Sequence, residues 1–428
     1  MTFDRFYSQM AAALRESPIR QMGAVAAQRT DVISFAPGYP GPDSWPWDDY
    51  RAIADRVLAS RDPALLQYGP TRGYPPLVET LRRVLADRDI TASIGEVMVT
   101  TGSQQGLDLV ARALLDPGDV ALVELPSYTG ALAAFRNAQA ALVGVEQRAD
   151  GIDPDHLVAT VRTLRAEGRR VKFLYVIPNF QNPTGLLMSL ERRRWLLEWA
   201  AREDVLIVED DPYGALYFED VATTADTRPI KADDEEGRVV YLSSVSKTLG
   251  PGFRTAWVTA AAPLVSRLEV AKQAADLCTG HFDQRMVAEA IDSGVLERQL
   301  PRLRHYYATR RTAMETALRR ELGTLISWPE PRGGFFLWAR LPEPLGASRL
   351  LQHALAHGVI FVPGHAFFVD GSGDRFVRLA FSLPDPDTIA AGVARLSSAV
   401  REALAEGPQA QEPRVEGTGA EAAAPGAR

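Results

Sequence analysis

The chain is nearly without cysteine: Cys278 stands alone among 428 residues. A disulfide within the chain is therefore excluded, as is a structural metal site built from several thiolates. Histidine is scarce too. The six histidines are scattered and no Cys/His cluster is read as a metal site, so no metal is expected. Basic charge is not in excess, with 47 Lys and Arg against 54 Asp and Glu and a net charge of −7. Without a long basic run, a nucleic-acid partner is not expected. No stretch is apolar for long enough to span a bilayer, which argues against a membrane partner. Asp4, Arg5, Arg15 and Glu16 interrupt any apolar core near the N-terminus, so no secretory signal is read there and a cytoplasmic location is expected. The glycine fingerprints of dinucleotide and P-loop sites are missing, and there are no internal repeats.

What is present is an ordinary soluble composition, 46% hydrophobic and 24% charged, in a chain long enough for two domains. A polar-faced helix is expected up to about Gln28, then a strand Val32–Phe35 and a Pro/Gly loop from Ala36 to Pro42. Val171–Ile177, Val205–Val208 and Val239–Leu242 are brief runs, apolar on both faces, as buried parallel strands are. Helical patterns such as Leu190–Arg202 separate them, which argues for an α/β domain with helices on both faces of a mainly parallel sheet. After about Leu296 the pattern changes to a charged helix, roughly Leu300–Leu322, strand-like Gly334–Arg340 and Phe376–Phe381, and a helix Asp387–Ala405. That reads as a smaller α+β domain. The expected division is an arm, 1–45, packing on the small domain; a large domain, 46–295; a small domain, 296–406; and a disordered tail, 407–428.

The chemistry gathers after the strand-like runs, where ligands bind in open α/β sheets. Lys247 follows one of them in Ser243-Ser244-Val245-Ser246-Lys247, with Arg254 beyond a Gly/Pro turn. Alone it reads as a solvated lysine. Beside Ser244, Ser246 and Arg254, which can hold a phosphate, it reads as an amine placed to attack an aldehyde. Asp210 and Tyr213 follow another run; Asp210 is either a loop-end acid or a carboxylate facing a ring nitrogen that it keeps protonated. Asn182 lies in the turn sequence Asn182-Pro183-Thr184-Gly185. Gly102-Ser103-Gln104 opens a helix-like segment, Leu107–Leu115, and suits either a phosphate or plain capping.

Taken in order, Tyr68 to Tyr74, Thr101 to Gln105, Glu124 to Tyr128, Gln181 to Gly185, Asp210-x-x-Tyr213, Ser244-x-Ser246-Lys247 through Arg254, and Arg378-Leu-Ala-Phe-Ser resemble the fold-type I, class I/II aminotransferases. Within them the chain is most similar to the aminoadipate/kynurenine branch, over about Ile19 to Ala405. The resemblance implies a pyridoxal 5′-phosphate enzyme, EC 2.6.1.-, that moves an amino group from an L-amino acid to a 2-oxo acid by a ping-pong mechanism. It implies that Lys247 carries the cofactor as a Schiff base and moves the proton, that Asp210 pairs with the pyridine nitrogen, and that Tyr213 and Asn182 bond the phenolic oxygen. Tyr128 stacks on the ring. Ser103, Gln104, Ser244, Ser246 and Arg254 hold the phosphate, with Tyr68 reaching across from the second subunit of a homodimer. Arg378 takes the substrate α-carboxylate with Asn182 and the backbone at Gly38; on its own it would read as an exposed strand arginine. Arg20 matches a position that contacts acidic side chains in some members, and reads equally as a structural arginine. The loop Pro37-Gly38-Tyr39-Pro40 departs from the family's frequent Gly-Gly-x-Pro, and Tyr39 adds bulk at the pocket mouth; Thr279–Phe282 and Gly333–Phe336 also border the pocket.

Two rival outcomes share much of this pattern. A lyase, decarboxylase or oxidase needs the same lysine and electron sink. A transcription regulator can carry such a domain behind a DNA-binding module, but only about 30 residues precede the first strand here, and the charge is acidic.

Overall fold

The computed structural model describes residues 3–14, 16–29 and 31–406. The segment 407–428, read from the sequence as a tail, lies outside the described residues. Thirteen strands are described: β1 (Ile33–Ser34), β2 (Val97–Thr101), β3 (Val120–Leu125), β4 (Ala141–Arg148), β5 (Gly151–Ile152), β6 (Val171–Val176), β7 (Leu206–Asp210), β8 (Val239–Ser244), β9 (Thr255–Thr259), β10 (Phe336–Arg340), β11 (Val359–Ile360), β12 (Val362–Pro363) and β13 (Phe376–Ala380).

Eight of them form one sheet in the order β2-β9-β8-β7-β6-β3-β4-β5. Its centre, from β8 to β4, is parallel, and antiparallel strands flank it on both sides. The apolar runs fit this because each strand feeds two cores. In β6, Phe173 and Tyr175 pack into one hydrophobic cluster while Leu174 and Val176 pack into another. That is the two-residue period of a strand covered on both faces. Each fully buried side chain of this size contributes roughly 1.5–3 kcal/mol. Ser189 starts the covering helix Leu190–Glu203 by accepting the Arg192 N–H, and Asp204 ends it in the left-handed region, φ 50°.

The second core is built on the antiparallel sheet β10-β13-β12 and the helices Val295–Leu322, Ala347–Ala356 and Pro386–Ala405. The helix read from Leu300 starts earlier, at Val295, and passes through Pro301. Pro301 is exposed, so the Glu297 carbonyl that loses its N–H partner can turn to water. Val295 belongs to a core of the large sheet and Leu303 to Leu322 to the second core, so this helix joins the two. The N-terminal stretch is tied to the second core: β1 pairs with β11 in parallel, Phe35 is buried there, and Ile19 and Met22 pack near Trp338 and Phe367. Among the described residues no helix is long and apolar enough to cross a membrane.

Candidate active site

Lys247 ends a single 3-10 turn, Val245–Lys247, directly after β8. Ser244 caps it, with its Oγ accepting the Ser246 N–H at 2.9 Å and donating to Ser246 Oγ at 2.8 Å. The turn aims the lysine back over the carboxyl end of the sheet. Its Nζ donates to the Gly38 carbonyl at 3.2 Å and lies 5.7 Å from the centre of the Phe335 ring. Burial, then the positive charges of Arg254 and Arg378, pull the amine down to about 8, with Asp210 opposing them. Gly38 also lets the Phe336 ring pack against this loop, since a Cβ there would fall 2.4 Å from it.

Asp210, the last residue of β7, is buried. Tyr175 donates its hydroxyl to Asp210 Oδ2 at 2.9 Å, and Oδ1 has no partner. Burial pushes the carboxyl up to about 7. Tyr213 packs edge-on to Phe335 and Phe336, at 5.4 and 5.9 Å between ring centres, and its phenol is pushed up by burial. Tyr128 caps the helix Thr129–Asn137, and burial, then the charge of Asp210, push its phenol up, with Arg378, Arg20 and Arg254 opposing. Arg20 is exposed on the helix Pro18–Ala27.

Arg378 is 1% exposed, so the exposed-strand reading does not hold. It sits in β13 between the Phe336 and Phe367 rings, 4.3 and 5.0 Å from their centres. One nitrogen donates to Asn182 Oδ1 at 2.8 Å, another to the Ala36 carbonyl, and Nε has no partner. Burial lowers it to about 10, still ionised at neutral pH.

At the far end, Ser103 opens the helix Ser103–Leu114, and its buried Oγ has no partner. Arg254 lies over Gly102, where a Cβ would fall 2.1 Å from its Nη2. Gly102 also has φ 80°, so glycine is required twice over. Gln104 donates to the Gly130 carbonyl at 2.8 Å.

Not every expected residue converges. Tyr68 is 79% exposed, and its backbone N–H bonds only the side chain of Gln67. Tyr39 is 48% exposed and its carbonyl accepts from Ser382. Conversely, Tyr175 was not picked out from the sequence, nor was the Gln181–Glu124 tie. Gln181 Nε2 donates to Glu124 and to the Pro126 carbonyl while its Oε1 receives Thr184, which locks the Asn182 loop to the Tyr128 loop. Burial pushes Glu124 up to about 8. Their signal was only their place in motifs already singled out.

The donor set fits pyridoxal phosphate. A lone amine with lowered basicity stands near an orphaned carboxylate oxygen. An orphaned hydroxyl and the amides of a helix N-terminus lie beside an arginine, where an anion binds well.

Known proteins agree with this geometry. The family model for aminotransferase class I and II matches residues 39–396. Aromatic-amino-acid aminotransferase 1 of Thermococcus litoralis is 38% identical over 94% of this chain and 96% of its own. The solved multiple substrate aminotransferase of Thermococcus profundus has a TM-score of 0.89 at 38% identity, covering 95% of this chain and 100% of that one. Alpha-aminoadipate aminotransferase of Thermus thermophilus, solved with N-(5′-phosphopyridoxyl)-L-leucine, has a TM-score of 0.85 at 36% identity, covering 95% and 100%. The chain belongs to the class I and II aminotransferases, with the fold-type I architecture, and transfers amino groups with pyridoxal 5′-phosphate.

Proposed function

We propose that this aminotransferase is a cytoplasmic homodimer in which Lys247, Asp210 and Tyr128 do the work at the reacting atoms and Arg378 selects α-carboxylates. The observation that carries the reading is a set of three buried, unpartnered polar atoms around Lys247: Asp210 Oδ1, Ser103 Oγ and Arg378 Nε. A buried polar atom without a partner calls for an explanation, and at these three a bound ligand supplies one.

Pyridoxal phosphate, when bound, supplies an electron sink for the pair left at the substrate Cα. The protein does the rest. Asp210, whose Oδ1 is free, would pair with the pyridine nitrogen and keep it protonated, because a neighbouring anion favours the charged form. Lys247 would hold the cofactor through its amine and, when that amine is free, would carry the proton of the substrate Cα–H bond. A basicity near 8 leaves part of the amine neutral at physiological pH. Arg378, held by Asn182 and Ala36, forks onto the α-carboxylate and fixes the Cα–H bond towards the lysine. Tyr213 and Asn182 would bond the phenolic oxygen, and Tyr128 would cover the ring. Ser103, Gln104, Ser244, Ser246 and Arg254 would hold the phosphate, joined by Tyr68 of a second copy. The exposure of Tyr68 supports that placement.

Arg20 and Tyr39, with Gly38, line the mouth that meets the substrate side chain. A cation beside an aromatic ring suits both acidic and aromatic substrates. Relatives named for aromatic amino acids and for alpha-aminoadipate support this range. An arm of residues 1–45, a large domain 46–295 and a small domain 296–406 would enclose the site between them. A screen of amino donors against 2-oxoglutarate and pyruvate tests the reading. Amino acid product formed in step with donor consumption supports it; ammonia or peroxide without that product refutes it.

A further inference from the structure

Behind the loop at the phosphate end lies a charged residue that the amino-transfer reading does not use. Lys272, on the helix Ala262–Ala275, is 0% exposed. A buried ammonium is costly unless its donors are taken up. Its Nζ donates to Gln105 Oε1 at 2.9 Å and to Asp276 Oδ1 at 2.7 Å.

Both acceptors also hold Thr101, the residue before Gly102 and Ser103. Gln105 Oε1 accepts the Thr101 N–H at 2.8 Å. Asp276 Oδ2 accepts the Thr101 hydroxyl at 2.6 Å, and Thr279 Oγ1 lies 3.0 Å from that hydroxyl. The Thr101 carbonyl accepts from Arg254 at 3.4 Å. Every polar group of Thr101 is thus fixed, and the lysine stands one bond behind two of them. The Lys272–Asp276 contact by itself is an ordinary i,i+4 ion pair at a helix end. The bond to Gln105 is not explained that way, because it reaches across to the start of another helix.

We propose that Lys272 is a positioning residue for the phosphate grip: by fixing Gln105 and Asp276, it sets the Thr101–Gly102–Ser103 turn in the shape that receives the cofactor phosphate. This rests on the reading of Ser103 and Arg254 as phosphate ligands. Lys272 touches neither cofactor nor substrate. Asp276 offsets its charge, so its effect is on the shape of the turn more than on the field at the phosphate.

The test compares two cofactor forms on apoenzyme, pyridoxal 5′-phosphate and pyridoxal, which lacks the phosphate, by quenching of tryptophan fluorescence. Lys272→Met should weaken pyridoxal 5′-phosphate binding by at least about tenfold and leave pyridoxal within about twofold of the parent. Should Lys272→Met fail to fold, Gln105→Leu cuts the same network while leaving Lys272 paired with Asp276, and it should show the same split. In the double variant the losses should not add, because both act through one network. Folded variants that bind pyridoxal 5′-phosphate as the parent does, or lose both forms equally, overturn the role of Lys272 alone. A parent apoenzyme that binds both forms equally overturns the phosphate-grip reading and this role with it.

Discussion

Tyr175 and Asp210 form a closed pair: the tyrosine hydroxyl donates to Oδ2 at 2.9 Å, which leaves Oδ1 as the carboxylate's free face. Tyr175 comes from β6 and Asp210 from the neighbouring β7, so the sheet itself sets the orientation of the acid. Tyr175→Phe removes that donor while keeping the ring in its core. Cofactor affinity should fall by about tenfold or more, the worth of one buried hydrogen bond to a charged group. Titration of the apoenzyme with cofactor checks this, and an unchanged dissociation constant counts against an orienting role for Tyr175.

Asp210 should cost the empty enzyme stability. Its folded pKa, about 7, lies above its unfolded value near 4, so between those limits the folded state binds more protons. Stability from this group is therefore greatest at low pH and is lost as pH rises through 7. Asp210→Asn removes the penalty. At pH 8 its apoenzyme should melt at a higher temperature than the parent's, while cofactor binding weakens. Thermal melts of both apoenzymes decide it, and a lower melting temperature for the variant contradicts the assignment.

Only a neutral amine attacks an aldehyde. The rate at which apoenzyme recaptures pyridoxal 5′-phosphate should therefore rise with pH and level off above about 8, where Lys247 has lost its proton. Lys247→Ala should lose the visible absorbance of lysine-bound cofactor and roughly 10²–10⁴-fold of activity. A variant with an unchanged, borohydride-reducible absorbance would assign the link to another lysine.

The sheet was legible because its strands carry their own pattern. Val171–Ile177 and Val239–Leu242 are apolar on both faces and lie where β6 and β8 do. The residues brought together around Lys247 were legible only through their order along the chain, since motifs far apart carry no local sign of meeting. What escaped was pairing chosen by packing. Nothing around Tyr175 or Lys272 marks them as partners of Asp210 and Gln105, because both sit within sequence that local structure alone accounts for. Arg378 shows the same limit from the other side. Alone it read as an exposed strand arginine, yet the rings of Phe336 and Phe367 bury it.

That burial makes Arg378 a sensitive position. Its guanidinium serves Asn182 and Ala36 through separate nitrogens, a geometry an ammonium cannot copy. Arg378→Lys should raise KM for the amino donor by about tenfold or more and affect kcat less, if the group mainly orients the carboxylate. Steady-state kinetics with a good donor give the split. An unchanged KM would remove Arg378 from the carboxylate site.

Tyr68 supplies the sharpest test of the shared site. At 79% exposure its hydroxyl bonds nothing among the described residues, although its motif belongs with the cofactor groups. If it completes the site of a second copy, Lys247→Ala on one subunit and Tyr68→Ala on the other damage the same site of a mixed dimer. One site then carries both lesions and the other carries neither. Mixing the two inactive variants after reversible dissociation should restore about a quarter of parent activity, since half the dimers are mixed and each has one sound site. No recovery, with mixed dimers demonstrated by mass, would mean that Tyr68 acts within its own chain or not at all. A monomer with full activity in sedimentation would remove the shared site altogether.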